Sequence, residues 1–147
     1  MKLVIQRSKE SSVSVDGKLI NKIDHGLMIL VGINVEDTME DVEWCAKKTL
    51  NLRIFDDENG VMNKSILDVG GEILSISQFT LQADTKKGNR PSYVHAMNGE
   101  LAIKLYEAYN SILNEQINTY PGVFGAEMIV NITNDGPVTI IIDSKEK

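Results

Sequence analysis

The sequence predicts an α+β fold in a single domain, residues 1–147, built from a mostly antiparallel β-sheet or barrel with two main helices packed outside. About seven segments have the apolar pattern of strands, and only two have helical spacing. The two helices do not alternate one-for-one with the strands. That order favours an antiparallel sheet over a doubly wound parallel one.

The N-terminal half begins with strands. Leu3 and Ile5 lie on one face of the first strand, and Asp16-Gly17 is a strong signal for a hairpin. The nearly continuous apolar run 26–33 is typical of a strand buried on both faces. A helix follows, with Thr38 and Asp41 as its capping box. Its predicted apolar stripe is Met39, Val42, Ala46 and Leu50.

The C-terminal half predicts a strand over 73–81, then a basic loop and a second helix over about 98–115. The apolar residues at helical spacing in that helix are Leu101, Leu105, Tyr109, Ile112 and Leu113. Two last strands are expected near 123–132 and 138–142. The residues between them, 134–137, are typical of a hairpin turn.

Length and composition indicate an ordinary globular domain. A chain of 147 residues buries roughly 70% of its unfolded surface and needs no metal or disulfide. The single cysteine, Cys45, cannot form an internal disulfide, which fits a reducing compartment. We see neither a signal peptide nor an apolar segment of about 20 residues. We therefore expect a cytoplasmic protein without a membrane partner.

The charge balance disfavours extended nucleic-acid binding. The formal net charge is −6 and the sequence pI is about 4.9, whereas proteins that grip a long phosphate backbone usually have a basic face. We expect no DNA partner. Lys86, Lys87 and Arg90 form the one dense basic cluster, which is either a solvated loop or a local contact with phosphates.

The common catalytic motifs are absent. The sequence has no GxGxxG after a strand and no GxxxxGK[ST]. Two distant histidines, His25 and His95, and one cysteine do not form a zinc set. The sequence leaves a Ser-His-Asp triad open, although no nucleophile-elbow motif is present. We therefore expect either little catalysis or a substrate that is already activated, such as an aminoacyl ester.

Two segments suggest a function when they are taken together. Ser77-Gln-Phe-Thr-Leu81 stands before the basic loop, and Asn134-Asp-Gly-Pro-Val-Thr139 stands near the C-terminus. Each alone is consistent with a core strand and a turn. Together, in this order and spacing, they resemble the D-aminoacyl-tRNA deacylase family, and the resemblance covers the whole chain. It extends to Gln6-Arg7, Ser11–Val15, Lys87–Ser92 and Leu105-Tyr106; the clearest departure is Tyr93, where we expect Phe.

The resemblance implies a homodimer whose active site forms at the subunit interface. One subunit would supply the catalytic segment Ser77, Gln78, Phe79 and Thr80, and the other would insert Gly136-Pro137 with a cis peptide bond. The carbonyl oxygens of this pair would select chirality by crowding an L side chain, so that D-aminoacyl esters are hydrolysed and glycine is accepted in part. Arg7 would fix the Gly-Pro element across the interface, or it is a surface charge.

The resemblance also implies a mechanism without a cofactor or metal. The N–H groups around Phe79 and Thr80 would hold the ester carbonyl, and water would attack, helped by the free hydroxyl of the terminal ribose. Thr80 would either position the substrate or act as the nucleophile, for which it lacks an evident base. Ser77 and Gln78 would support the adenosine end. Lys86, Lys87 and Arg90 would bind acceptor-stem phosphates of the partner, D-aminoacyl-tRNA.

Two other functions stay open. A catalytically silent module would bind tRNA or a nucleotide without turnover. A hydrolase of small esters would act without tRNA and without a metal.

Overall fold

Ten strands, three helices and one 3-10 turn follow one another in the computed structural model, which describes all 147 residues. The strands are β1 (Lys2–Ser8), β2 (Ser11–Val15), β3 (Lys18–Ile23), β4 (Gly26–Gly32), β5 (Phe55–Asp56), β6 (Met62–Lys64), β7 (Glu72–Ser77), β8 (Thr119–Pro121), β9 (Ile129–Asn131) and β10 (Asn134–Asp143). The helices are α1 (Met39–Asn51), α2 (Ile66–Val69) and α3 (Gly99–Asn114). The 3-10 turn covers Phe79–Gln82 and is called the 79–82 turn below.

Two open sheets form the framework, so the predicted α+β class is confirmed and the barrel alternative is wrong. The larger sheet has the order β10-β1-β4-β7-β8, and the smaller has the order β3-β2-β9. The pairs β10-β1 and β1-β4 are antiparallel, whereas β4-β7 and β7-β8 are parallel. Neither sheet closes on itself, because its edge strands pair on one side only.

The larger sheet is the middle of three layers. Leu27, Ile29 and Val31 of β4 point to the layer of α1 and α3, where they join the main core. Met28, between them, faces the smaller sheet together with Leu74 of β7. Both faces of β4 are therefore covered, which explains why its sequence is continuously apolar and not alternating. This confirms the strand predicted over 26–33.

The two main helices are confirmed, with two exceptions in their predicted apolar faces. Val42, Ala46 and Leu50 of α1 are buried in the main core. Met39 and Leu101 are 44% and 55% exposed, so both predictions were wrong. Each lies in the first turn of its helix, and helical spacing identifies an apolar face without showing where that face leaves the core. No helix is long and apolar enough to cross a membrane.

Three predicted boundaries in the C-terminal half were wrong. The strand expected near 123–132 is a strand only at Ile129–Asn131. The strand predicted over 73–81 ends at Ser77, where β7 passes into the 79–82 turn. Residues 134–137 are not the turn between the last strands, since they begin β10 as an irregular stretch of its pairing with β1. The two strands are connected instead by Ile132 and Thr133.

Asp41 connects the start of α1 to the C-terminus. Its carboxylate accepts a hydrogen bond from the Thr38 N–H at 2.9 Å, which confirms the Asp41 side of the predicted capping box. The same carboxylate pairs with the Lys145 ammonium at 3.1 Å. Burial opposes its ionisation. Hydrogen bonds from Ser144, Thr38 and Lys145, with the Lys145 charge, outweigh burial and hold the pKa of Asp41 below its ordinary value.

We expect Asp41→Asn to lower the free energy of unfolding by about 2 kcal/mol at pH 7, because it removes hydrogen bonds to a charged group. A carboxylate with a lowered folded-state pKa stabilises the protein above its unfolded pKa, and this stabilisation fades as the pH falls below about 4. Urea unfolding at several pH values should therefore show the two proteins converging towards acid. The exposed Glu40→Gln in the same helical turn is the control. A difference that stays constant with pH would contradict the assignment.

Candidate functional site

The 79–82 turn is fixed against the end of β4. The N–H of Gln78 donates to the carbonyl of Val31 at 2.7 Å, and the N–H of Leu81 donates to the carbonyl of Gln78 at 3.2 Å. Gly32 allows this approach, since a Cβ there would lie 2.8 Å from the Leu81 Cβ and 3.0 Å from the Gln78 carbonyl oxygen. The peptide chain is therefore held at a contact too close for any other residue.

The turn presents two backbone donors. Its first hydrogen bond starts at the N–H of Leu81, so the N–H groups of Phe79 and Thr80 precede it and have no partner inside the turn. Paired N–H groups of this kind suit an oxygen that gains negative charge. The geometry can therefore stabilise an oxyanion without a charged side chain.

The side chain of Thr80 has no base beside it. Its Oγ1 makes one hydrogen bond, accepted from the Gln78 side-chain amide at 2.5 Å. An amide cannot take a proton from a hydroxyl, and activation of a threonine needs an adjacent base. His95 lies instead next to Asp84, with 3.8 Å between its Nε2 and the carboxylate. This arrangement favours the positioning role for Thr80.

A mostly apolar cavity of about 500 Å³ adjoins the turn. Ser77, Gln78 and Phe79, three of the residues predicted for the catalytic segment, line one side of it, whereas the fourth, Thr80, is not part of its lining. The remaining walls come from the ends of β4 and β7, from the residues 96–102 around the start of α3 and from the segment 124–130; sequence analysis identified neither of the last two. Only the apolar residues Phe124 and Met128 distinguish that segment, and such residues normally signal a core.

Arg7 holds the other predicted element, Gly136-Pro137, inside the same chain. The peptide bond of that pair is cis. Arg7 Nε donates to the carbonyl of Asp135 at 2.9 Å, and its Nη1 donates to the carbonyl of Ile54 at 3.0 Å. A Cβ on Gly136 would lie 3.1 Å from the Arg7 guanidinium and 2.8 Å from Val138 Cγ2. The alternative of a free surface charge is wrong for Arg7, which is 12% exposed.

The two predicted elements lie at opposite ends of the larger sheet. In the register of the sheet, Ser77 pairs with Val31, Val31 with Leu3, and Leu3 with Ile142. Gly136-Pro137 lies beside Arg7, four residues further along β1. Three strand spacings separate β7 from β10, about 14 Å, and four residues along β1 add about 13 Å. Within one chain the elements are thus roughly 20 Å apart and cannot share a substrate atom.

The three predicted basic residues project from a loop that starts after the 79–82 turn. Asp84 and Ser92 close its base through two backbone hydrogen bonds, of 2.8 and 2.9 Å. Lys86, Lys87 and Arg90 are exposed, and none of them makes an ion pair within the chain. Three uncompensated cations on one loop form a local anion-attracting surface in an otherwise acidic protein.

Neither a metal site nor a reactive cysteine accompanies this region. No group of three or more His, Cys, Asp or Glu side chains is arranged to hold a metal ion. Burial raises the pKa of the Cys45 thiol to about 12, so the thiolate is not populated at neutral pH. Cys45 belongs to the main core beside α3.

Comparison with known proteins is consistent across sequence and structure. Residues 4–143 match the family model described as D-Tyr-tRNA(Tyr) deacylase. D-aminoacyl-tRNA deacylases of Parabacteroides distasonis and Clostridium novyi are 55% and 56% identical, with 100% of this chain and 99% of each relative covered.

Two solved structures share the fold. One, described as a c-Myc DNA Unwinding Element Binding Protein, has a TM-score of 0.93 at 44% identity, covering 97% of this chain and 98% of that one. Another, described as a probable eukaryotic D-amino acid tRNA deacylase, has a TM-score of 0.83 at 15% identity, covering 96% and 97%.

Proposed function

The chain belongs to the D-Tyr-tRNA(Tyr) deacylase family, and we propose that it hydrolyses the ester bond of D-aminoacyl-tRNA, releasing the free D-amino acid and the tRNA. The observation that carries this proposal is the pair of backbone donors, Phe79 N–H and Thr80 N–H, beside an apolar cavity. An aminoacyl ester is already activated, so oxyanion stabilisation and orientation supply much of the catalysis it needs.

In this proposal the cavity takes the terminal adenosine and the 79–82 turn takes the acyl carbonyl. The apolar lining suits the faces of a base, and Ser77 and Gln78 supply polar atoms at the edge nearest the turn. The N–H groups of Phe79 and Thr80 receive the negative charge as water attacks. The free hydroxyl of the terminal ribose helps to activate that water, since no protein base lies at Thr80.

We further propose that the working unit is a homodimer with each active site at the subunit interface. The separation of roughly 20 Å between the 79–82 turn and Gly136-Pro137 within one chain supports this proposal. The sheet is a rigid layer, so no local adjustment joins its two ends. A second copy is the simplest source of a Gly136-Pro137 element at the first copy's turn.

Chirality would then be selected by main-chain oxygens. Gly136 and Pro137 are exposed, whereas the backbone just before them is fixed by Arg7. Carbonyl oxygens held against the α-carbon of the substrate would exclude an L side chain and leave a D side chain pointing outward. This selection is strict on handedness and loose on side-chain type. Glycine, which has no side chain to exclude, would be hydrolysed in part.

Lys86, Lys87 and Arg90 would contact phosphates of the acceptor stem. Their exposure and lack of ion pairs within the chain support this role. Aminoacyl-tRNA is the substrate that translation consumes, so we propose the cytoplasm as the site of action.

Nucleic-acid binding without turnover is the second candidate function. The solved structure with 44% identity is described as a DNA-element binding protein, which favours keeping this candidate. The net charge of −6 argues against a long duplex contact. Measuring binding and turnover in the same assay separates the two candidates.

The test of the proposed function compares D-Tyr-tRNA with L-Tyr-tRNA, each incubated with purified protein without added metal. We expect the D ester to be hydrolysed faster than the L ester by a factor of about 10² or more, because the site excludes an L side chain. Glycyl-tRNA should give an intermediate rate, and D-tyrosine ethyl ester should be a poor substrate. Equal rates on the D and L esters would refute chiral selection, and binding without hydrolysis would favour the second candidate.

Replacement of Thr80 tests its role. We expect Thr80→Ala to lose less than about tenfold in kcat, since water and not the hydroxyl is the attacking group. Phe79→Pro provides the comparison in kcat: proline is tolerated at the first position of a helical turn but removes one N–H together with the ring, and loss of such a donor costs about 10²–10³ in rate. A loss for Thr80→Ala as large as that for Phe79→Pro would restore the threonine as nucleophile.

Mixed dimers test whether one site draws on both copies. Phe79→Pro and Gly136→Ala should each be inactive as homodimers. Co-refolded at equal amounts, half of the dimers are mixed and one site of each is intact, so about a quarter of the wild-type activity should return. Each variant refolded alone is the control. No recovery, despite mixed dimers detected by mass, would show that the site lies within a single chain.

A further inference from the structure

Two aromatic rings lie exposed at the mouth of the cavity. Phe79 is 58% exposed although it lines the cavity, and Tyr93 is 39% exposed. Their ring centroids are 5.0 Å apart with an interplanar angle of 68°, an edge-to-face pair. Val94, beside Tyr93, is 71% exposed. Contiguous exposed apolar side chains are typical of binding surfaces.

The aromatic pair is adjacent in sequence to the basic loop. Tyr93 directly follows Ser92, whose two backbone hydrogen bonds to Asp84 close the loop. The bridge therefore fixes the residue before Tyr93, and the exposed Lys86, Lys87 and Arg90 lie within seven residues of Tyr93 along the chain. Proteins that bind single-stranded nucleic acid combine exposed aromatic rings for the bases with nearby cations for the phosphates.

We propose that the Phe79–Tyr93 pair is a stacking platform for the base that precedes the terminal adenosine of the tRNA, with the cations of the loop on the adjoining phosphates. This proposal rests on the proposed function, which puts the terminal adenosine in the cavity. The preceding nucleotide must then leave past the cavity mouth, where Phe79 belongs to both surfaces.

The exposed rings and the cations of the loop both favour the single-stranded end of tRNA as the ligand of this surface. Every base has a π face, so stacking requires no particular tRNA sequence beyond the single-stranded end. The phosphates that lead from the stacked base into the acceptor stem complement Lys86, Lys87 and Arg90. A second copy of the chain is the competing occupant of these rings, and it would be revealed by a change in oligomeric state.

The test uses an acceptor-stem hairpin that carries D-tyrosine through an amide in place of the ester, with a fluorescent cytosine analogue before the terminal adenosine. Binding to the wild-type protein should quench the analogue. We expect Tyr93→Ala to weaken binding about tenfold and to abolish most of the quenching in the bound complex, as loss of one stacking partner does. Tyr93→Phe keeps the ring and should retain both properties.

Turnover gives a second readout. Tyr93→Ala should lower kcat/KM about tenfold on D-Tyr-tRNA, mainly through KM, and leave kcat/KM on D-tyrosyl-adenosine unchanged because that substrate lacks the preceding nucleotide. Equal losses on both substrates would overturn the platform, as would an unquenched analogue in the wild-type complex. A change of mass in solution for Tyr93→Ala would assign the rings to the second copy and overturn it too. If the wild-type protein hydrolyses neither ester but quenches the analogue, the proposed function fails and the platform stands.

Discussion

The hydrogen bond from the Gln78 N–H to the Val31 carbonyl determines how the candidate site is built. It continues the parallel pairing of β7 with β4 one residue beyond Ser77, and the chain then turns into residues 79–82. Gly32 makes the approach possible, because a Cβ there would meet both Leu81 and the Gln78 carbonyl at or within 3.0 Å. The ends of β4 and β7 thus fix the orientation of the N–H donors of Phe79 and Thr80, and no flexible side chain is needed to orient them. Rigid donors of this kind cost no reorganisation during reaction.

The sequence predicts those parts of the fold in which local pattern and tertiary environment agree. The run 26–33 predicts β4 because burial on both faces removes every polar position from a strand. The sequence does not predict the end of β7. Phe79 and Leu81 have the alternating pattern of a strand, but backbone contacts with β4 impose a turn there. It does not predict that residues 134–137 enter β10, because turn-forming residues also suit an irregular strand whose geometry Arg7 fixes from a distance.

The candidate site shows the same division. The four residues Ser77–Thr80 and the pair Gly136-Pro137 are found by resemblance of motifs, and the fold then shows that two strands of the larger sheet, β1 and β4, lie between them. The cavity walls at the start of α3 and in 124–130 have no motif, since apolar residues that line a cavity look the same in sequence as those that fill a core. Arg7 is recognisable by motif, but its contacts with Ile54 and Asp135 depend on elements distant in sequence.

An acidic protein whose one dense cluster of cations is the three on the basic loop is suited to a substrate that it must release. On the proposed function, about three phosphate contacts would make affinity fall only about 40-fold between 50 and 200 mM salt, against about 10³–10⁵-fold for proteins with six to ten contacts. The electrostatic attraction between the protein and the tRNA body is then weak, and the negative charge on the rest of the protein repels the duplex parts of the tRNA. Affinity must come from the terminal nucleotides, which reach the cavity and its mouth only as a single strand. Recognition is thereby concentrated at the aminoacyl end, where the choice between D and L is made.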